Sequence, residues 1–106
     1  MLKNLKTILS ELKDCLQSLY GDRLAKVLLF GSQARGEATD NSDIDIMVII
    51  KGDVIPSQEI ARTIDDVAGI SLANDVVLSC VFMPESRYET ERSPLILNVR
   101  REGLAV

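Results

Sequence analysis

Two short stretches carry residue types suited to phosphate chemistry. The first is Gly31-Ser32, directly after the apolar run Val27-Leu28-Leu29-Phe30. That run reads as a buried strand, and Ser32 to Arg35 as the helical turn after it. A glycine at this junction lets a phosphate approach the backbone, while the Ser32 hydroxyl and the first amides of the turn supply donors. The second stretch is Asp43 and Asp45, at i and i+2 where another strand begins. Alternation puts both carboxylates on one face, about 6.5–7 Å apart along the chain, close enough to converge on bridging metal ions. Hard oxygen ligands suit Mg²⁺ or Mn²⁺ bound together with substrate phosphates. Each stretch alone has a plainer reading. Gly-Ser is often only a turn, and Asp43 can complete the turn chemistry of Asp40-Asn41-Ser42.

Composition narrows the chemistry further. The chain has 106 residues, 16 acids against 12 bases, a net charge of −4, and no histidine or tryptophan. Without histidine there is no Ser-His or Cys-His nucleophile pair and no His-ligated zinc, so carboxylates must carry any catalysis. The sign of the charge and the scarcity of aromatic residues argue against direct nucleic-acid binding. The excess acid is concentrated in residues 37–66, where eight acids face two bases. Such a segment repels a triphosphate unless cations intervene. Cys15 and Cys80 form no C-x-x-C pair and read as reduced, buried thiols of a cytoplasmic protein. No apolar run is long enough to span a membrane, and the first residues do not resemble a signal peptide.

The elements that must position these residues fit one domain over residues 1–106. Leu2, Leu5, Leu9, Leu12, Leu16 and Leu19 predict a helix with a core-facing stripe, stopped by Gly21. Asp43 to Ile50 predicts a central strand with one polar end. Pro56 opens a helix with Ile60, Ile64, Val67 and Ile70 or Leu72 on one face. Asp75 enters a third strand that ends at Pro84. Ser86 and Glu89 form a capping box for a short helix, and Ser93-Pro94 start a last helix running to Gly103. The fold class is therefore α+β with an α/β-like order: a small mixed sheet of three strands flanked by helices.

Phe30-Gly31-Ser32-Gln33-Ala34-Arg35-Gly36, with Ser42-Asp43-Ile44-Asp45-Ile46 downstream, resembles the polymerase-beta-like nucleotidyltransferase superfamily, and its minimal (MNT) branch in particular. Ten residues separate Gly-Ser from Asp-x-Asp, as in that branch. The resemblance implies a nucleotidyltransferase fold that binds ATP with two Mg²⁺ ions. Asp43 and Asp45 would be metal ligands, and Gly31 and Ser32 would hold the phosphates. It also implies a third carboxylate from the next strand. Asp75 is the candidate for that ligand and catalytic base, with a turn acid as the alternative; Asp53 and Glu85 are poorer ones. Arg35 either contacts phosphate or ties the loop down through a carboxylate. Arg100 and Arg101 complement a helix end or meet a partner.

About 24 residues follow the third strand, too few for an acceptor-binding domain. Minimal members are commonly paired with a helical HEPN toxin. The resemblance thus implies an antitoxin that transfers AMP to a partner hydroxyl, in a hetero- or homo-oligomer. The alternatives are a non-catalytic nucleotide-binding or contact-inhibition module, and a subunit that modifies a small molecule or RNA.

Overall fold

A central strand with no exposed face organises the molecule. The computed structural model describes residues 4–39 and 43–106, so Leu2 of the predicted stripe and the Asp40-Asn41-Ser42 turn lie outside the described residues. Helix α1 (Leu5–Tyr20) leads through a 3-10 turn (Gly21–Arg23) into β1 (Leu24–Phe30), and α2 (Ser32–Arg35) follows. Next come β2 (Ile44–Ile50), α3 (Pro56–Asn74), β3 (Leu78–Pro84), α4 (Glu85–Thr90), α5 (Pro94–Glu102) and β4 (Leu104–Ala105). The sheet order is β3-β2-β1-β4. β2 runs antiparallel to β1 and parallel to β3, and β4 pairs antiparallel with β1. The sheet is mixed, as expected, but has four strands rather than three. β4 offers only two residues to periodicity, and its pairing follows from the chain returning off α5 beside Leu28 and Leu29.

Ile44 and Ile46 to Ile50 are fully buried because the two faces of β2 serve different cores. Ile44, Ile46, Val48 and Ile50 pack with α1, Val27, Leu29, Leu78 and Phe82. Met47 and Ile49 pack on the opposite side with Leu28, Met83, Tyr88, Ile96 and Val99. The alternation of strand side chains therefore assigns Asp45 to the side covered by α4 and α5.

On α1 the buried positions are Leu5, Ile8, Leu12, Leu16 and Tyr20, while Leu19 is 39% exposed. A strict 3.5-residue repeat drifts against a 3.6-residue helix, which moves the buried stripe from Leu19 to Tyr20 by the last turn. The expected face of α3 also shifts. Ile70 is buried and Val67 packs against the core as expected, but Ile60, Ile64 and Leu72 are exposed, and Glu59 and Thr63 are buried instead. Two polar residues replace apolar ones because they find partners. The Tyr20 hydroxyl donates to Glu59 Oε1 (2.8 Å), Arg62 Nε lies 3.4 Å from the same oxygen, and the Thr63 hydroxyl donates to the Glu59 carbonyl (2.9 Å).

The proposed capping box at Ser86 does not form. Pro84, in extended conformation, already takes the N-cap position of α4, so Ser86 falls inside the helix. Ser93 does cap α5, accepting from the Ile96 amide at 3.5 Å. No helix among the described residues is long and apolar enough to cross a membrane.

Candidate active site

The site is assembled where β1 ends and β2 begins, because antiparallel strands bring those two ends together. Phe30, the last residue of β1, pairs with Asp45. Gly31 follows with φ 73° and ψ −155°, a conformation open essentially to glycine alone. Its Cα faces Asp45 so closely that a Cβ built there would overlap the Asp45 Oδ2. Glycine here thus serves both the backbone turn and the space for a carboxylate. Ser32, half-buried, begins α2 directly after it, and Gly36 ends α2 in the left-handed conformation.

Asp43 is exposed and Asp45 half-buried. Burial, and next the negative charge of Asp43, raise the pKa of Asp45 above the ordinary carboxylate value; the positive charge of Arg35 partly offsets them. A like-charge pair of this kind is relieved by a cation. The two carboxylates fit a hard divalent ion that takes its remaining ligands from water and phosphate, since Mg²⁺ is commonly held by one or two carboxylates plus substrate phosphates.

The third expected ligand is placed elsewhere. Asp75 does not enter a strand: it is the left-handed C-cap of α3 (φ 52°, ψ 48°), exposed, and β3 starts only at Leu78. Among the described residues, no three His, Cys, Asp or Glu side chains form a group able to hold a metal ion. The structure therefore does not bring Asp75 to Asp43 and Asp45. Asp53 is exposed, with its carbonyl accepting from Arg23, and Glu85 lies in the first turn of α4.

Arg35 ties the loop down. Its Nε reaches Glu37 Oε2 at 3.1 Å and its Nη1 reaches Glu102 Oε2 at 3.3 Å, which links α2 to the end of α5. Arg100 and Arg101 occupy the last turn of α5, where cations complement the helix dipole. The Arg100 guanidinium also stacks 4.9 Å from the Tyr88 ring centre and donates to the Tyr88 carbonyl.

Two residues of interest carried no sequence signal. Ser79 pairs with Asp45 across β2 and β3, a register that only the tertiary fold reveals. Gln33, in α2, is 1% exposed, and neither its amide nitrogen nor its oxygen has a hydrogen-bond partner. A buried, unpaired amide costs about 1–3 kcal/mol, whereas an apolar side chain of similar shape does not. Gln33→Met is accordingly expected to raise stability by about 1 kcal/mol, or about 4–8 °C in Tm, in a thermal melt followed by circular dichroism.

Comparison with known proteins agrees with this geometry. A family model described as "Nucleotidyltransferase domain" matches residues 9–95. Two relatives from Methanocaldococcus jannaschii, provisionally named protein adenylyltransferases, are 34% and 32% identical over 98 and 99 residues. The alignments cover 92% and 93% of this chain, and the chain spans 58% of the first relative and 95% of the second. Among solved structures, a toxin–antitoxin crystallised with AMP-PNP superposes with a TM-score of 0.63 at 26% identity, covering 98% of this chain and 72% of that one. Sequence motif, strand-end geometry and family match converge on one assignment: this chain belongs to the nucleotidyltransferase domain family.

Proposed function

We propose that the chain transfers AMP from ATP to a hydroxyl group of a partner protein, as the antitoxin of a pair whose toxin is a HEPN-type helical protein. The observation that carries this reading is the close apposition of Gly31 to the Asp45 carboxylate, which sets a phosphate-accepting strand end against an acidic pair. The names of the relatives and the toxin–antitoxin context of the structural neighbour support it.

In this reading the Ser32 hydroxyl and the first amides of α2 hold and orient the phosphates. Asp43 and Asp45 hold Mg²⁺, or Mn²⁺, jointly with those phosphates. When bound, the ion supplies neutralising charge and Lewis acidity. The acceptor hydroxyl releases its proton to solvent as its oxygen forms a bond to the α-phosphorus, the bond from that phosphorus to the bridging oxygen breaks, and pyrophosphate leaves. Arg35 acts by anchoring α2 through Glu37 and Glu102. The two-ion arrangement would need a further ligand group, which Asp75 does not provide from its place on α3. The cytoplasm is the proposed compartment, where ATP is abundant and the free Cys15 and Cys80 stay reduced. Burial pushes the Cys80 thiol up to about 11, consistent with an inert core group.

The test is to incubate the protein, Mg²⁺ and labelled ATP with the protein encoded beside it. Label on the partner, lost in Asp43→Asn/Asp45→Asn, is the expected result. Inhibition of the partner that survives the double substitution would favour contact inhibition instead.

A further inference from the structure

The parallel ladder between β2 and β3 sets what stands beside the acidic pair. Ile44 pairs with Leu78, and Asp45 with Ser79. The Ile44 amide donates to the Val77 carbonyl at 2.9 Å, so the ladder holds to the very end of β2. Paired residues of neighbouring strands project to the same face, and the strands lie about 4.8 Å apart. Ser79 therefore shares the face of Asp45, while its neighbours Leu78 and Cys80 pack into the opposite core. It is half-buried rather than enclosed. This end of the sheet thus presents two carboxylates and one neutral hydroxyl on the side of α4 and α5.

A hydroxyl differs from a carboxylate in two ways that matter here. It brings no charge to a cation, and it donates a hydrogen bond to an anion that a carboxylate would repel. The affinity of a hard divalent ion depends strongly on the number of charged ligands. We propose that Ser79 is the third side chain of the nucleotide and metal site, and that its neutrality makes divalent-ion binding conditional on nucleotide. Two carboxylates alone hold the ion weakly. The triphosphate supplies the missing negative charge, and the Ser79 hydroxyl donates to one of its oxygens. The chain then takes up ion and nucleotide together rather than in sequence. This inference rests on the nucleotidyl-transfer reading of the same site.

Ion binding tests it without any turnover. Mn²⁺ alone is titrated into the full chain by electron paramagnetic resonance, in the wild type and in Ser79→Asp, Ser79→Asn and Ser79→Cys. Ser79→Asp is expected to tighten Mn²⁺ by at least about tenfold, and Ser79→Asn to leave it within about twofold. The near-isosteric Ser79→Cys covers the case in which the Asp variant misfolds. It should gain Cd²⁺ binding with a thiolate charge-transfer band that the wild type lacks. Combining Ser79→Cys with Asp45→Asn should remove that band. The pre-formed Mn²⁺ complex of AMP-PNP should bind the wild type more tightly than Mn²⁺ alone does. Wild-type-like ion binding in both Ser79→Asp and Ser79→Cys overturns the placement of Ser79 in the site. Equal affinity of the wild type for Mn²⁺ with and without AMP-PNP overturns the conditional binding. If the variants gain ion binding but no form of the protein binds the AMP-PNP complex, the transfer reading falls too, while the ion site itself stands.

Discussion

Asp45→Asn is expected to cut nucleotide transfer by about 10²–10³ and at the same time to raise the melting temperature of the metal-free protein at neutral pH. The first effect follows from removing half of the acidic pair. Losing one preorganised electrostatic group at a reacting phosphate costs about 10²–10³ in rate, and the proposed role of Asp45 as an ion ligand puts it at the upper end. The second effect follows from what the pair costs the fold. Burial, then Asp43, raise the pKa of Asp45 in the folded state. Charging Asp45 therefore opposes folding. That penalty is absent at low pH, where the carboxyl is protonated in both states, and it sets in as the pH rises through the window from the unfolded to the folded pKa. The stability advantage of Asn is thus present at pH 7 and shrinks as the pH falls through that window. Thermal melts at neutral pH and at about pH 3 check this. An Asn variant that melts below the wild type at neutral pH contradicts the electrostatic argument, and one that transfers AMP at the wild-type rate contradicts the site.

Gly31→Ala is expected to damage both the fold and the site. Two independent costs meet there. The backbone at φ 73° and ψ −155° is closed to L side chains, a strain of about 1–3 kcal/mol. The added methyl also strikes the Asp45 carboxylate, which must then leave its place beside Asp43. Gly21 separates the two costs. It has a related conformation, φ 54° and ψ −126°, but nothing lies within 4 Å of its would-be Cβ. Gly21→Ala should therefore lose stability and keep transfer activity, whereas Gly31→Ala should lose both. Transfer assays below the melting temperature of both variants check this. Full activity in Gly31→Ala would mean that Asp45 need not sit where the structure places it.

Part of the site was legible because it is local. A strand end, a glycine, a hydroxyl and two acids of equal parity are all specified within a few residues of one another. Antiparallel pairing of β1 with β2 then joins them with little freedom. Asp75 keeps two readings in the sequence because Asn74-Asp75-Val76 reads equally well as a strand entry or a helix exit, and the structure takes the second. Asp tolerates the left-handed conformation, so α3 can close on it without a glycine. Ser79 was invisible for a different reason: its significance lies in the register between β2 and β3, set by the whole length of α3 between them. Only part of the inner face of α3 (Val67 and Ile70) is legible in the sequence, because apolar spacing cannot anticipate that Tyr20, 39 residues earlier, offers Glu59 a buried hydrogen bond. The α+β architecture and the central strand were legible, since the near-continuous apolar run of β2 has few other homes.

The most direct test of AMP transfer follows the two ends of ATP separately. The protein is incubated with Mg²⁺ and the protein encoded beside it, the proposed partner, in parallel reactions, one with ATP labelled at the α-phosphate and one with ATP labelled at the γ-phosphate. Attack at the α-phosphorus predicts α-label on the partner and γ-label in pyrophosphate, with both signals lost in Asp43→Asn/Asp45→Asn. Label from the γ-phosphate on the partner, or transfer that persists in the double variant, would contradict it.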